Sequence, residues 1–146
     1  MDEEESITQK MIIEHGKIYD LISQFYLEVG YSRDIKEAKD IFKRFKGNHD
    51  KHLSFEENVV FKFKPFIREI YVLKIISKQH VQMNELISKI DKDLKKGKSV
   101  SDDINLFQNL SRAHIHIEET QFCPILDEKL NKEERLKLIN KMPIFV

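Results

Sequence analysis

The chain has 146 residues, and its 25 lysines and arginines balance 25 aspartates and glutamates, so the formal net charge is zero. This length suits one domain with a single core, and we expect residues 1–146 to form it. Neither nucleic acid nor a strongly charged partner is indicated, because the sequence has no basic stripe and no acidic excess. Cys123 is the only cysteine, which fits a reducing compartment. No apolar run approaches about 18 residues and the acidic start is unlike a signal sequence, so we expect a cytoplasmic protein that binds no membrane.

Four glycines and three prolines are few for this length, which favours long helices over strands. The first predicted helix runs from about Ser6 to Glu28. Ser6 and Gln9 form a capping-box pattern, and Gly30 is a natural stop. Its apolar stripe advances in steps of three and four and contains Ile7, Met11, His15, Ile18, Ile22 and Phe25.

A second helix is predicted to begin at Asp34, which can cap it together with Glu37, and to end before Pro65. Its stripe includes polar residues that are hard to explain on a solvent-facing surface. The stripe consists of Ala38, Phe42, Phe45, His49, His52, Glu56, Val59 and Phe63.

Pro65 is well placed near the start of a third predicted helix, which ends near Gly97. The inward stripe of this helix contains Phe66, Ile70, Leu73, Ile76, His80, Met83, Ile87 and Leu94. Ser101 can cap a fourth helix. The stripe of the fourth helix contains Ile104, Phe107, Leu110, His114, Glu118, Gln121 and Ile125.

A short last helix is predicted from Asn131, with Glu134 as its cap partner, to about Lys141. The connections between the four long helices are only a few residues long, so sequential neighbours should be antiparallel. The sequence therefore predicts an all-α fold, an antiparallel up-down four-helix bundle with a short C-terminal helix.

Four histidines, one from each long helix, should lie at similar positions along the axis of such a bundle. They are His15, His52, His80 and His114. At about 1.5 Å per residue, His15 lies roughly 22 Å from the first turn and His52 roughly 25 Å beyond it. His80 and His114 reach comparable heights from the later turns. Unpaired burial of these groups would be costly, so they need something to bind.

Two of these histidines are followed four residues later by a glutamate: His52 by Glu56, and His114 by Glu118. Residues with this spacing project from the same helix face. Each pair can present an imidazole nitrogen to one metal ion and a carboxylate that bridges to a second ion, about 3.5–4 Å away. We therefore predict a dinuclear transition-metal protein with open positions for a ligand such as O2. The alternative is a bundle with hydrogen-bonded buried histidines.

Two segments resemble the signature of the hemerythrin-like (HHE cation-binding) family. They are HIHIEE at 114–119, followed by Phe122 and Pro124, on the fourth helix and HLSFEE at 52–57 on the second. The resemblance covers nearly all of the chain and implies a four-helix bundle with two iron ions, a non-haem di-iron centre with an oxo or hydroxo bridge. It implies as ligands His15, His52, His80 and His114, with Glu56 and Glu118 as bridges.

The oxygen carriers of that family place two histidines four residues apart on the third helix, whereas Ile76 and Asn84 flank His80 here. His49 lies one turn before His52, and we predict that it is close to the metal pair, as a fifth histidine ligand or beside the ligands. A buried histidine that bonds to a neighbour is the alternative.

Other polar residues near these positions have simpler expected roles. We expect Tyr19, one turn after His15, to lie beside the ligands rather than to bind metal. His116 is expected at the surface, and Cys123 in the core. For the last two residues, Glu57 and Glu119, we expect exposure to solvent or a place beside the ligands.

The favoured function is O2 binding, for transport, storage or sensing, rather than catalysis. The ligand would be O2 or another small diatomic molecule, and an electron-transfer partner is a further expectation. The alternatives are a di-iron enzyme or stress protein that handles nitric oxide or peroxide, and an iron-responsive interaction module.

Overall fold

Helices form every regular element of the chain, and no strand is present. The computed structural model describes all 146 residues, from Met1 to Val146. The α-helices are α1 (Ile7–Leu27), α2 (Ile35–Phe55), α3 (Leu73–Lys95), α4 (Ser101–Ile117), α5 (Cys123–Lys129) and α6 (Lys132–Asn140). Three π-helical turns follow α1, α2 and α4, at Glu28–Ser32, Glu56–Val60 and Glu118–Phe122. Short 3-10 helices lie at Glu3–Glu5 and Pro65–Glu69.

The predicted caps of three helices are confirmed. The Ser6 hydroxyl accepts a hydrogen bond from the backbone N–H of Gln9 at the start of α1. Asp34 accepts one from Glu37 at the start of α2, which satisfies one of the unpaired N–H groups of the first turn. At α6 the capping box between Asn131 and Glu134 forms in both directions.

Two predicted helix starts were wrong. Pro65 begins a 3-10 helix rather than α3, because Ile70 is extended and interrupts the chain before α3 begins at Leu73. Ser101 was expected as the cap of α4, but it is the first helical residue, and Val100 occupies the cap position without a side-chain hydrogen bond. At the other end of α3, Gly97 stands in the left-handed conformation and ends the helix as expected.

The long helices pack side by side. α1 packs against α2, and α3 against α4, while α1 also contacts α4 and α2 also contacts α3. The short helix α5 follows the π-helical turn after α4 and contacts α1, and α6 contacts both α1 and the 3-10 helix before it. No helix is both long enough and apolar enough to cross a membrane.

Two separate apolar clusters form the core. The first, here the Phe45 cluster, consists of Ile18, Leu21, Ile22, Phe25, Ala38, Ile41, Phe42, Phe45, Met83, Ile87, Ile90, Leu94, Val100, Ile104 and Phe107. The second, here the Phe122 cluster, consists of Ile7, Met11, Phe55, Val60, Phe61, Ile67, Ile70, Val72, Ile76, Phe122, Cys123, Leu126, Leu130 and Leu138.

The four histidines lie between these two clusters. On α1, His15 stands between Met11 of the Phe122 cluster and Ile18 of the Phe45 cluster. On α3, His80 stands in the same way between Ile76 and Met83. The same order holds along α2 and α4. A polar layer therefore crosses the molecule between two apolar ones.

Candidate metal centre

The four histidines of the polar layer are buried and meet in two pairs. The ring centroids of His15 and His52 are 5.1 Å apart, and those of His80 and His114 are 4.8 Å apart. Each pair joins one ring from each of two helices that pack together, α1 with α2 and α3 with α4. Between the pairs lie the carboxylates of Glu56 and Glu118, both with no exposed surface.

The donor atoms of these residues form two groups of a size that can hold a metal ion. One group contains His15, His52 and Glu118, and its donor atoms all lie within 4.8 Å of one another. The other group contains His80, His114, Glu56 and Glu118, within the same limit. Glu118 belongs to both groups, which is the arrangement that a bridging carboxylate requires.

All four histidines direct Nε2 toward the glutamates. Nε2 of His114 lies 2.6 Å from Oε1 of Glu118, and Nε2 of His52 lies 2.8 Å from Oε1 of Glu56. The corresponding distances are 3.4 Å from His15 to Glu118 and 3.7 Å from His80 to Glu56. None of these contacts has hydrogen-bond geometry, so the four Nε2 atoms and all four carboxylate oxygens have no hydrogen-bond partner in the protein.

The other ring nitrogen, Nδ1, has a partner in every case. His15 Nδ1 donates to Glu119 and His80 Nδ1 donates to Glu57, both at 2.7 Å. These acceptors directly follow Glu118 and Glu56 in the sequence. A proton held on Nδ1 leaves the lone pair of Nε2 available to a metal ion.

In the remaining two histidines, Nδ1 bonds to a side chain of the helix that packs against their own. His52 Nδ1 donates to Glu14 at 3.3 Å, and His114 Nδ1 donates to Gln79 at 2.8 Å. Glu14 directly precedes His15, and Gln79 directly precedes His80. The α1–α2 half and the α3–α4 half therefore build their histidine pairs by the same pattern of contacts.

The two buried glutamates also share an unusual backbone position. Glu56 and Glu118 are each the first residue of a five-residue π-helical turn. The carbonyl oxygen of Glu56 accepts a hydrogen bond from the N–H of Phe61, five residues later, at 2.9 Å. Single π-helical turns are frequent at functional sites, and here they occur at both carboxylates.

Residues 6–126 match the family model described as "Hemerythrin HHE cation binding domain". The chain belongs to this family. The matched segment contains the four histidines, Glu56 and Glu118, and the four residues that bond to Nδ1 of the histidines. No curated protein and no solved structure matches the chain.

The donor set of this HHE domain fits a cation on electrostatic grounds. Burial and the charge of Glu118 raise the pKa of Glu56 well above its ordinary value. Although burial opposes it, the pKa of Glu118 is well below its ordinary value because the imidazoles of His114 and His15 stabilise its charged form. Without a cation, two adjacent buried carboxylates cannot both be charged at low cost. Imidazole and carboxylate are the ligands that iron and similar transition metals accept in proteins.

His49 is close to this centre but belongs to neither donor group. Its ring stacks on Phe45 and makes edge contacts with Tyr19 and Phe107. Both of its nitrogens are buried without a hydrogen-bond partner. Burial lowers its pKa well below the ordinary value, and the nearby histidines lower it further, so the ring is neutral. Its role as a fifth ligand stays a prediction.

Tyr19, Cys123 and His116 are three further residues whose positions were predicted from the sequence. Tyr19 contacts the ring of His15, with centroids 5.9 Å apart, and its hydroxyl is buried without a partner. Cys123 is buried in the Phe122 cluster as expected, and His116 is exposed as expected.

Two residues that orient the histidines, Glu14 and Gln79, were missed in the sequence. A signal was present, since each directly precedes a stripe histidine. They lie off the inward stripe of their own helix, however, and reach the site only because a neighbouring helix passes close by.

Proposed function

We propose that this HHE domain holds two iron ions in an antiparallel four-helix bundle and binds O2 there, for transport, storage or sensing. The observation that carries the proposal is the set of four Nε2 atoms and four carboxylate oxygens, all buried and without hydrogen-bond partners. Burial of that many unpaired polar atoms is costly and is rare in folded proteins. Coordination of metal ions would satisfy all of them together.

The contacts suggest how the residues divide between the ions. His15 and His52 would hold one ion, and His80 and His114 would hold the other. Glu118 belongs to both donor groups and would bridge them. Glu56 contacts a histidine of each pair, His52 and His80, and would provide the second bridge.

The surrounding residues prepare the donors and keep water away. Glu14, Glu57, Gln79 and Glu119 fix the orientation and tautomer of the four rings. On the side of the Phe122 cluster, the ring of Phe61 stacks on the ring of His80, with centroids 6.0 Å apart. The apolar clusters on both sides limit access of water to the polar layer.

With reduced iron bound, the centre would supply open coordination positions and electrons for reversible O2 binding. The ratio of imidazoles to carboxylates supports this function over oxidative turnover. Four neutral donors and two carboxylates stabilise oxidised iron less than the carboxylate-rich sites of ferritin-like proteins do.

Visible absorption tests the proposal. The protein is loaded with iron without oxygen, reduced, exposed to O2, and then returned to an oxygen-free atmosphere. We expect a charge-transfer band that appears with O2 and disappears when O2 is removed. Irreversible conversion to the diferric form would contradict O2 carriage and would favour nitric oxide or peroxide chemistry at the same centre.

A further inference from the structure

Residues 142–146 follow α6 and lie against the outside of α2 without forming a regular element. They are not part of the segment 6–126 that matches the family model. No backbone–backbone hydrogen bond involves residues 143–146. Side-chain contacts therefore hold this segment to the bundle.

The side chain of Asn48 on α2 makes two of these contacts. Its Nδ2 donates to the carbonyl oxygen of Val146 at 2.9 Å, and its Oδ1 accepts from the N–H of Val146 at 3.1 Å. Nζ of Lys51 donates to the carbonyl oxygen of Ile144 at 3.3 Å. Only 2% of Asn48 is exposed, so the segment satisfies an amide that is otherwise cut off from water.

Apolar contacts hold the segment on both sides of the polar layer. Met142 packs against the Phe122 cluster, and Phe145 packs against the Phe45 cluster. An extended chain covers the three residues between them in about 10 Å. Because the polar layer separates the two clusters, the segment crosses the edge of that layer.

The segment crosses this edge beside His52. In the sequence, His52 directly follows Lys51 and is one helical turn beyond Asn48. Nδ1 of His52 bonds to Glu14 of α1, so this edge of the polar layer is the seam between α1 and α2. On the α3 side of α2, in contrast, a surface cavity reaches His80. One side of α2 is therefore covered and the other is open.

We propose that residues 142–146 form a strap that closes the α1–α2 side of the centre. Release of the strap exposes His52 to solvent and allows the ion beside it to exchange. The exchange of the ion rests on the proposed di-iron function, whereas the exposure of His52 does not require a metal. Segments held by few contacts open locally far more often than the whole fold unfolds. Weaker contacts at Asn48 or Phe145 therefore raise the population of the open form.

Diethyl pyrocarbonate, which acylates accessible neutral imidazoles, tests the strap in the chelated protein. The protein is labelled briefly and digested with trypsin, and the labelling of each histidine is measured by mass spectrometry. We expect Asn48→Ala and Phe145→Ala each to label His52 about tenfold faster than wild type, because contacts of the strap are lost. Labelling of His80, on the other side of α2, should not change.

The release of iron to a chelator tests the second part of the proposal. The iron-loaded, reduced protein is mixed with an excess of a coloured ferrous chelator without oxygen, and the rate of colour formation is recorded. From the same starting iron content, Asn48→Ala and Phe145→Ala should release iron about tenfold faster than wild type.

Two variants serve as matched controls. Ile144→Ala changes a side chain of the same segment that is 86% exposed. Asn84→Ala removes an exposed amide that lines the cavity at His80. Neither control should change the labelling of His52 or the release of iron. Urea titrations of every variant measure the free energy of unfolding alongside.

Wild-type labelling of His52 in both strap variants would refute the strap. An equal rise at His80 would also refute it, because the whole bundle would then be looser. If Asn48→Ala does not fold, Phe145→Ala decides, since its side chain is only half-buried.

Iron separates this proposal from the di-iron function. If the wild-type protein loads no iron, the di-iron function is wrong, and the labelling of His52 still tests the strap. Faster labelling of His52 with unchanged iron release would refute the exchange of the ion through this side. Faster release from Asn84→Ala than from Asn48→Ala would refute it as well, because the ions would then leave past His80.

Discussion

The side-chain oxygen of Gln79 lies 2.8 Å from Nδ1 of His114 and accepts its hydrogen bond. This contact places the ring proton of His114 on Nδ1 and leaves Nε2 to face Glu118. Gln79 directly precedes His80. Two consecutive residues of α3 therefore supply a candidate metal ligand, His80, and the group that orients His114 on α4.

Gln79→Leu should therefore lower metal affinity without removing a ligand. Loss of a partner that orients a metal-bound histidine reduces affinity by roughly 10- to 100-fold. Competition between the protein and a coloured chelator for ferrous iron measures the change. Gln82→Leu is the matched control, since Gln82 is exposed on the same helix. Equal affinity of the Gln79 variant and wild type would show that His114 is oriented without this contact.

Glu118→Ala should reduce iron retention far more than Glu119→Ala. Glu118 belongs to both donor groups, whereas Glu119 only holds the ring of His15. We expect the first variant to lose most of its iron on gel filtration, and the second to keep it with lower affinity. Comparable loss from both variants would argue against a bridging role for Glu118.

Removal of the metal should destabilise the fold. A ligand that binds only the folded state, present at 1,000 times its dissociation constant, adds about 4.1 kcal/mol to the free energy of unfolding. For a domain of this size, each kcal/mol moves the melting temperature by about 2–4 °C. We expect the chelated protein to melt about 10 °C below the iron-loaded protein in scanning calorimetry. Equal melting temperatures would favour a core of hydrogen-bonded histidines instead.

Asp127 lies away from the metal centre. It should stabilise the fold because its side chain on α5 bonds to the start of α1. Its carboxylate accepts hydrogen bonds from the N–H groups of Ile7 and Thr8, and from the Thr8 and Ser6 hydroxyls. Loss of a helix cap costs about 1–2 kcal/mol. Asp127→Ala should lower the free energy of unfolding by about that amount in urea titrations, with iron content unchanged.

Glu128→Ala serves as the control for Asp127, because Glu128 is exposed on the same short helix. It should leave the unfolding midpoint in place. An equal shift in both variants would mean that the contacts of Asp127 with α1 contribute little.

The six candidate donors could be predicted because their signal is local. A histidine and a glutamate four residues apart must lie on one helix face, whatever the rest of the fold does. His15 and His80 could be predicted from their places in apolar stripes. The structure brings these six residues together, as the matching heights of the four histidines indicated.

What could not be predicted depends on contacts between helices and on small backbone changes. Glu14 orients His52 across a helix interface, and its own sequence neighbours do not indicate that contact. The π-helical turns at Glu56 and Glu118 were expected as ordinary helix, since neither turn contains a glycine or a proline. The extended residue Ile70, which delays α3, lies within a stripe of helical spacing.

We propose that the polar layer between the two apolar clusters holds a pair of iron ions. Elemental analysis of protein loaded with ferrous iron without oxygen, then freed of loosely bound metal, tests it most directly. We predict two irons per chain. One iron per chain would contradict the bridging roles of Glu56 and Glu118, and a value near zero would contradict the metal centre itself.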